Sequence, residues 1–120
     1  MQSNDTLYFE ARRLSAGSDP VQAEALVDGH VYFAVRYVDE NMLIPIVETL
    51  VFIGRNLEPD DVGRLYFQDV RFYQAGREYQ AGDRRGDLGI EVYFEGSTNA
   101  LFEYGRALDE LLRCSLRRRA

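Results

Sequence analysis

Lysine is absent from this 120-residue sequence, and its fourteen basic residues are all arginine. Chemistry that needs a lysine amine, such as Schiff-base formation or the phosphate contact of a P-loop, is therefore excluded. The single cysteine, Cys114, cannot form an intrachain disulfide, and together with the single histidine, His30, it cannot supply a familiar zinc site. We therefore expect a protein without a structural metal or other cofactor.

The sequence also lacks a long hydrophobic run. Its most apolar stretch, LIPIVETLVFIG at residues 43–54, is interrupted by Glu48 and is far shorter than the roughly 20 residues that a membrane-spanning helix needs. The first residues show no basic segment followed by an apolar one, as a secretory signal would. We therefore expect a cytoplasmic protein without membrane contact.

Positive charge is scarce and unevenly placed. The formal net charge is −6, with +3 in residues 106–120 and −9 in residues 1–105. This balance argues against general binding to nucleic acid, which depends on basic groups that displace counterions. It also suits an acidic inhibitor or immunity-type protein that binds a basic partner. The length and the 46% hydrophobic content predict one domain over residues 1–120.

Patterns of apolar and polar residues predict five β-strands: most alternate, but residues 43–54 are apolar on both faces, and residues 64–73 have one apolar face only with a bulge near Gln68. These patterns cover residues 6–13, 30–39, 43–54, 64–73 and 89–95. A two-residue turn at Glu40 and Asn41 would pair Phe33 with Glu48 and place that carboxylate on an apolar face. Because Pro45 cannot donate a ladder hydrogen bond, a nearby bulge would shift this register by one residue.

From Thr98 onward the apolar residues, among them Tyr104, Leu108 and Leu112, recur at steps of three and four, which is typical of an amphipathic helix. This apolar side should contact the sheet, with Asp109 and Glu110 on the opposite, solvent side. We therefore predict an α+β fold: a mainly antiparallel, five-stranded meander sheet with the C-terminal helix packed on one face. A strongly bent sheet that approaches a small barrel is the structural alternative. The connection at residues 75–89, which carries four glycines and six charges, is long and typical of a mobile or functional loop.

Glu48 is the first candidate for chemistry, because a carboxylate in apolar surroundings is often a general acid or base with a raised pKa. The structural interpretation is an ion pair with Arg36, Arg71 or His30, and it is favoured because no second catalytic element is specified. Asp69, Arg71 and His30 are weaker catalytic candidates. No nucleophile elbow or nucleotide-binding glycine pattern occurs, so the sequence favours a protein without catalysis.

A set of tyrosines and apolar residues indicates an interaction surface instead. The set comprises Tyr8, Tyr32, Pro45, Val47, Val51 and Tyr93. If the helix covers one sheet face, these residues form a patch on the other, where tyrosine is favoured at interfaces. The alternative is that residues 14–29 fold back over them.

The resulting functional prediction is a small protein-binding or self-associating module, most simply a homodimer. A protein or enzyme that binds a small ligand in a pocket around Glu48, Asp69 and Arg71 is the alternative. The acidic inhibitor remains the third hypothesis.

Overall fold

The computed structural model describes residues 5–120, which form one five-stranded antiparallel sheet and a long C-terminal helix. The strands are β1 (Val31–Tyr37), β2 (Pro45–Arg55), β3 (Arg64–Asp69), β4 (Ile90–Phe94) and β5 (Leu101–Phe102). The helices are α1 (Val70–Gln74) and α2 (Tyr104–Arg119), with 3-10 turns at Ala23–Ala25 and Arg85–Leu88. The spatial order is β4-β3-β2-β1-β5. The first four strands are thus a meander, and β4 and β5 leave the sheet open at its edges. The predicted α+β class is confirmed.

The register between β1 and β2 differs from the predicted one by a single residue, since Glu48 lies opposite Ala34. The reason is the connection between the strands. The carboxylate of Asp39 accepts hydrogen bonds from the backbone amides of Leu43 and Ile44, at 3.0 and 2.9 Å. These bonds close a longer loop than the two-residue turn that the sequence predicts, and the pairing moves accordingly.

One face of the sheet, here the turn-side face, is covered by the 3-10 turn that precedes β1. Its core comprises Val21, Ala23, Leu26, Tyr32, Ala34, Leu50, Phe52, Leu65, Phe67 and Leu101. Side chains from distant parts of the chain fasten this cover: Thr98 donates a hydrogen bond to the Val21 carbonyl, and Arg55 donates to that of Ala23. Each large apolar side chain buried here contributes about 1.5–3 kcal/mol.

The opposite face, here the helix-side face, is covered in part by α2. Its core comprises Val35, Phe102 and Ala107, with Phe33, Tyr37 and Leu111 packed against it. α2 begins at Tyr104 and not near Thr98, because Leu101 and Phe102 pair with β1 as β5.

Two predicted strand segments take other conformations. Residues 6–13 pair with no described strand and are exposed. The strand that borders β1 on its outer side is the two-residue β5 instead. β3 ends at Asp69 because this side chain accepts a hydrogen bond from the Arg71 amide and caps α1. The expected continuation of the strand to residue 73 is therefore helical.

Candidate functional sites

Glu48 lies on the turn-side face in an ion-pair network centred on Arg36. One nitrogen of the guanidinium contacts Glu48, and the other lies 2.8 Å from Glu91. The hydroxyl of Tyr93 contacts the same guanidinium. The carboxylate in the apolar stretch is thus paired with Arg36, one of its three predicted partners.

Glu91 is the perturbed carboxylate of this network. Its partial burial and the neighbouring Glu48 raise the pKa of Glu91, while Arg36 acts in the opposite direction. About a third of the side-chain surface of both carboxylates is exposed. The arrangement brings two carboxylates and one guanidinium together on an open sheet surface.

The other catalytic candidates do not converge on Glu48. Asp69 and Arg71 pair with each other at 3.0 Å, and this contact lowers the pKa of Asp69. His30 is exposed just before β1. The cavities beneath the loop at 75–89, beside the first 3-10 turn, at the junction of sheet and α2 and along α2 are lined by none of these four residues.

The predicted interface residues do not form one exposed patch. Tyr32 and Val51 are 2% and 1% exposed, and they lie on opposite faces of the sheet. Tyr93 packs against the core of the turn-side face, whereas Pro45 and Val47 lie on the helix-side face. Residues 21–26 fold back over Tyr32, as the alternative interpretation described, because their apolar side chains complete that core.

An exposed apolar surface lies instead on the outer side of α2. Tyr104, Leu108, Leu112 and Leu116, spaced four residues apart, form what we call the α2 stripe. Tyr104 is 71% exposed and Leu116 is 55% exposed, while the two central leucines are partly buried. The helical period predicts this stripe, but as the side of α2 that contacts the sheet.

The orientation of α2 follows from two acidic residues that the sequence places on the solvent side. Asp109 and Glu110 are only 3% and 5% exposed. Arg12 donates a hydrogen bond to Asp109 at 2.7 Å, which lowers the pKa of that carboxyl. Glu110 accepts a hydrogen bond from the Tyr37 hydroxyl and lies 3.5 Å from Arg117. Because these partners hold the acidic side inward, the stripe turns outward.

Residues 5–15, here called the arm, run beside the α2 stripe. Arg12 donates to the Gly105 carbonyl at 3.2 Å, and Arg113 donates to the Ser15 carbonyl at 3.1 Å. Beyond these anchors Tyr8 and Phe9 are 90% and 89% exposed. The arm and the stripe together line an apolar groove of about 720 Å³.

The loop at residues 75–89 is anchored to the sheet by the buried Gln68. Its amide nitrogen donates to the carbonyls of Arg77 and Leu88, at 2.6 and 2.9 Å. Beneath the loop, the ring of Tyr66 lies 5.6 Å from that of Tyr79. These contacts enclose a second cavity of about 720 Å³ between the loop and β2, here called the loop cleft.

Tyr66 adds a short polar network to this region. Its hydroxyl donates a hydrogen bond to Asp61, which lowers the pKa of that carboxyl. Burial, together with the same carboxylate, raises the pKa of Tyr66 to about 12. The sequence gives no sign of this network, although Asp61 and Tyr66 are only five positions apart.

Compared with known proteins, the chain matches no protein-family model, and neither curated proteins nor solved structures give a significant match. Within residues 5–120, no helix combines the length and the apolar character that a membrane crossing requires. In the same part of the chain, no three His, Cys, Asp or Glu side chains are grouped so as to hold a metal ion.

Proposed function

We propose that the protein is a self-associating domain whose α2 stripe and arm pack against the same surfaces of a second copy. The observation that carries this proposal is the continuous exposed apolar surface that the two segments share. Isolated exposed apolar residues are ordinary, but contiguous ones mark interaction sites.

The size of this surface suits a dimer. Tyr8, Phe9 and Tyr104 expose 71–90% of their surface. At about 200 Å² for each ring, they offer roughly 500 Å². The exposed leucines of the arm and stripe raise the total to roughly 800 Å² per copy, which is about the area that one partner buries in a stable interface.

Charge favours an antiparallel arrangement of the two α2 helices. Glu103 is exposed just before α2, and Arg118 and Arg119 are exposed at its end. In a two-fold symmetric, antiparallel pair, Glu103 of each copy faces the C-terminal arginines of the other. A parallel pair would bring the arginines of both copies together.

Sedimentation velocity over a range of concentrations tests the proposal. We expect the wild-type chain to dimerise with a dissociation constant on the order of micromolar, as interfaces of this size often do. Phe9→Glu in the arm and Leu116→Glu in the stripe should each weaken dimerisation at least about tenfold, because each buries an unpaired charge.

Val62→Glu is the matched control, since Val62 is 84% exposed and lies outside both the arm and the stripe. This variant should dimerise as the wild type does. Circular dichroism of each variant establishes that it is folded. A wild-type chain that stays monomeric at 100 times the expected constant overturns the proposal, as does an equal effect of Val62→Glu.

A further inference from the structure

The loop cleft lies apart from the arm and the α2 stripe, and its volume falls in the range of small-molecule sites. It opens between the end of β2, the turn at residues 28–29 and residues 73–79. A ligand bound in this cleft would therefore not depend on the proposed dimer.

Apolar and aromatic side chains form part of the lining of the loop cleft, beside polar and charged ones. They include Ile53, Leu57, Tyr73 and Tyr79. The ring of Tyr79 is held by its contact with Tyr66 and by a hydrogen bond from its hydroxyl to Glu58. Fixed aromatic rings of this kind provide contact area for an apolar body and attract cations to their faces.

Gln68 supplies a hydrogen-bond acceptor to this cleft. The residue is 1% exposed and lines the cavity. Both hydrogen bonds of its amide nitrogen go to carbonyl oxygens, which only accept, so the orientation of the amide is fixed. Within residues 5–120 no donor contacts its Oε1 atom. This oxygen is therefore free to accept a hydrogen bond from a ligand in the cleft.

The charged residues of the cleft favour a positively charged ligand that donates hydrogen bonds. Asp28 and Glu78 line it, and neither forms an ion pair with any residue that the structure describes. Arg77 is the basic residue of the lining, and its guanidinium lies over the ring of Phe72 at 5.7 Å. The side chains of the lining therefore carry a net negative charge.

We propose that the loop cleft binds a small organic cation, an ammonium group on an aromatic body. The body packs between the tyrosine rings and the aliphatic wall. The ammonium group donates hydrogen bonds to Gln68 Oε1 and is attracted by Asp28 and Glu78. An anion of the same shape is repelled by the two carboxylates, and a neutral analogue binds more weakly because it lacks the attraction to them.

Three probes with the same phenyl body and different head groups test this proposal: 2-phenylethylammonium, 2-phenylethanol and 3-phenylpropionate. Binding is measured by NMR titration of the backbone amides at low ionic strength. The cation should bind at least about tenfold more tightly than the alcohol, and the carboxylate should bind more weakly still. Amide shifts should be concentrated at residues 73–79, and added salt should weaken binding of the cation.

Charge-neutralising variants identify the site. Asp28→Asn and Glu78→Gln should each raise the dissociation constant of the cation about threefold, as for exposed charge pairs. Both residues are exposed, so the fold should be unaffected. Glu40→Gln removes an exposed carboxylate outside the cleft and is the control, with a change below about twofold. The proposal is overturned by equal affinity for the three probes, by no measurable binding of the cation, or by an equal loss in the control.

Discussion

Replacing Gln68 by leucine should release the loop at residues 75–89 from the sheet. Gln68 is buried on β3 and joins the strand to two backbone carbonyls of the loop, those of Arg77 and Leu88. Leucine has a similar size and fits the apolar surroundings, so the main change is the loss of these two hydrogen bonds.

The expected cost follows from the surroundings of the two carbonyls. A hydrogen-bond partner left buried and unpaired costs about 1–3 kcal/mol. Arg77 is exposed and its carbonyl can turn to solvent, whereas Leu88 is partly buried. We therefore expect the free energy of unfolding to fall by about 2 kcal/mol, which lowers the urea midpoint by roughly 1 M.

Urea unfolding followed by circular dichroism measures this change, and limited trypsin digestion localises it. Released loop residues should be cleaved sooner after Arg84 and Arg85, which are exposed in the loop. Gln80→Leu, an exposed position in the same loop, is the control and should leave both measurements nearly unchanged. A loss below about 0.5 kcal/mol for Gln68→Leu, within the range of ordinary surface substitutions, would refute the reasoning.

Two further predictions concern ionisation. Glu48→Gln should lower the pKa of Glu91 towards its ordinary value, because the pKa is raised by burial and by the neighbouring Glu48. The free energy of unfolding should fall by less than about 1 kcal/mol, because the ion pair of Glu48 with Arg36 is partly exposed. NMR titration measures the pKa and urea unfolding the stability, and an increased pKa of Glu91 would contradict this assignment. Burial, with hydrogen bonds to carboxylates, raises the pKa values of Tyr37 and Tyr66 to about 12. Since the unfolded tyrosines ionise near pH 10, the free energy of unfolding should fall as the pH rises from about 10 to about 12, by up to about 1.4 kcal/mol per pH unit for each group. Constant stability over this range would contradict the prediction.

The strand patterns of the sequence were sufficient to predict the class of the fold. The patterns at residues 30–39, 43–54, 64–73 and 89–95 each overlap one of the four strands of the meander, because side chains on a strand point to its two faces in turn and reflect the burial of each face. The amphipathic period near the C-terminus likewise predicted α2. These are local properties, since each segment carries its own period.

The pairing of Glu48 was predictable in kind but not in detail. An apolar stretch with one carboxylate calls for a partner, and Arg36 was among the three arginine and histidine candidates. The register that brings them together depends on how Asp39 closes the loop between β1 and β2. A side chain that replaces a backbone turn is not visible in the alternation of apolar residues.

Tertiary contacts alone decided which surfaces are free. Tyr32 is covered because residues 21–26 return to the sheet, and the α2 stripe is outward because Arg12 and Tyr37 hold Asp109 and Glu110 inward. A helical period shows that two sides of a helix differ, but it does not show which side meets the sheet when buried acids find partners more than 70 positions away. The sequence by itself thus determined the four strands of the meander and the C-terminal helix, while distant ion pairs and hydrogen bonds determined the orientation of that helix and, with it, the surfaces available for binding.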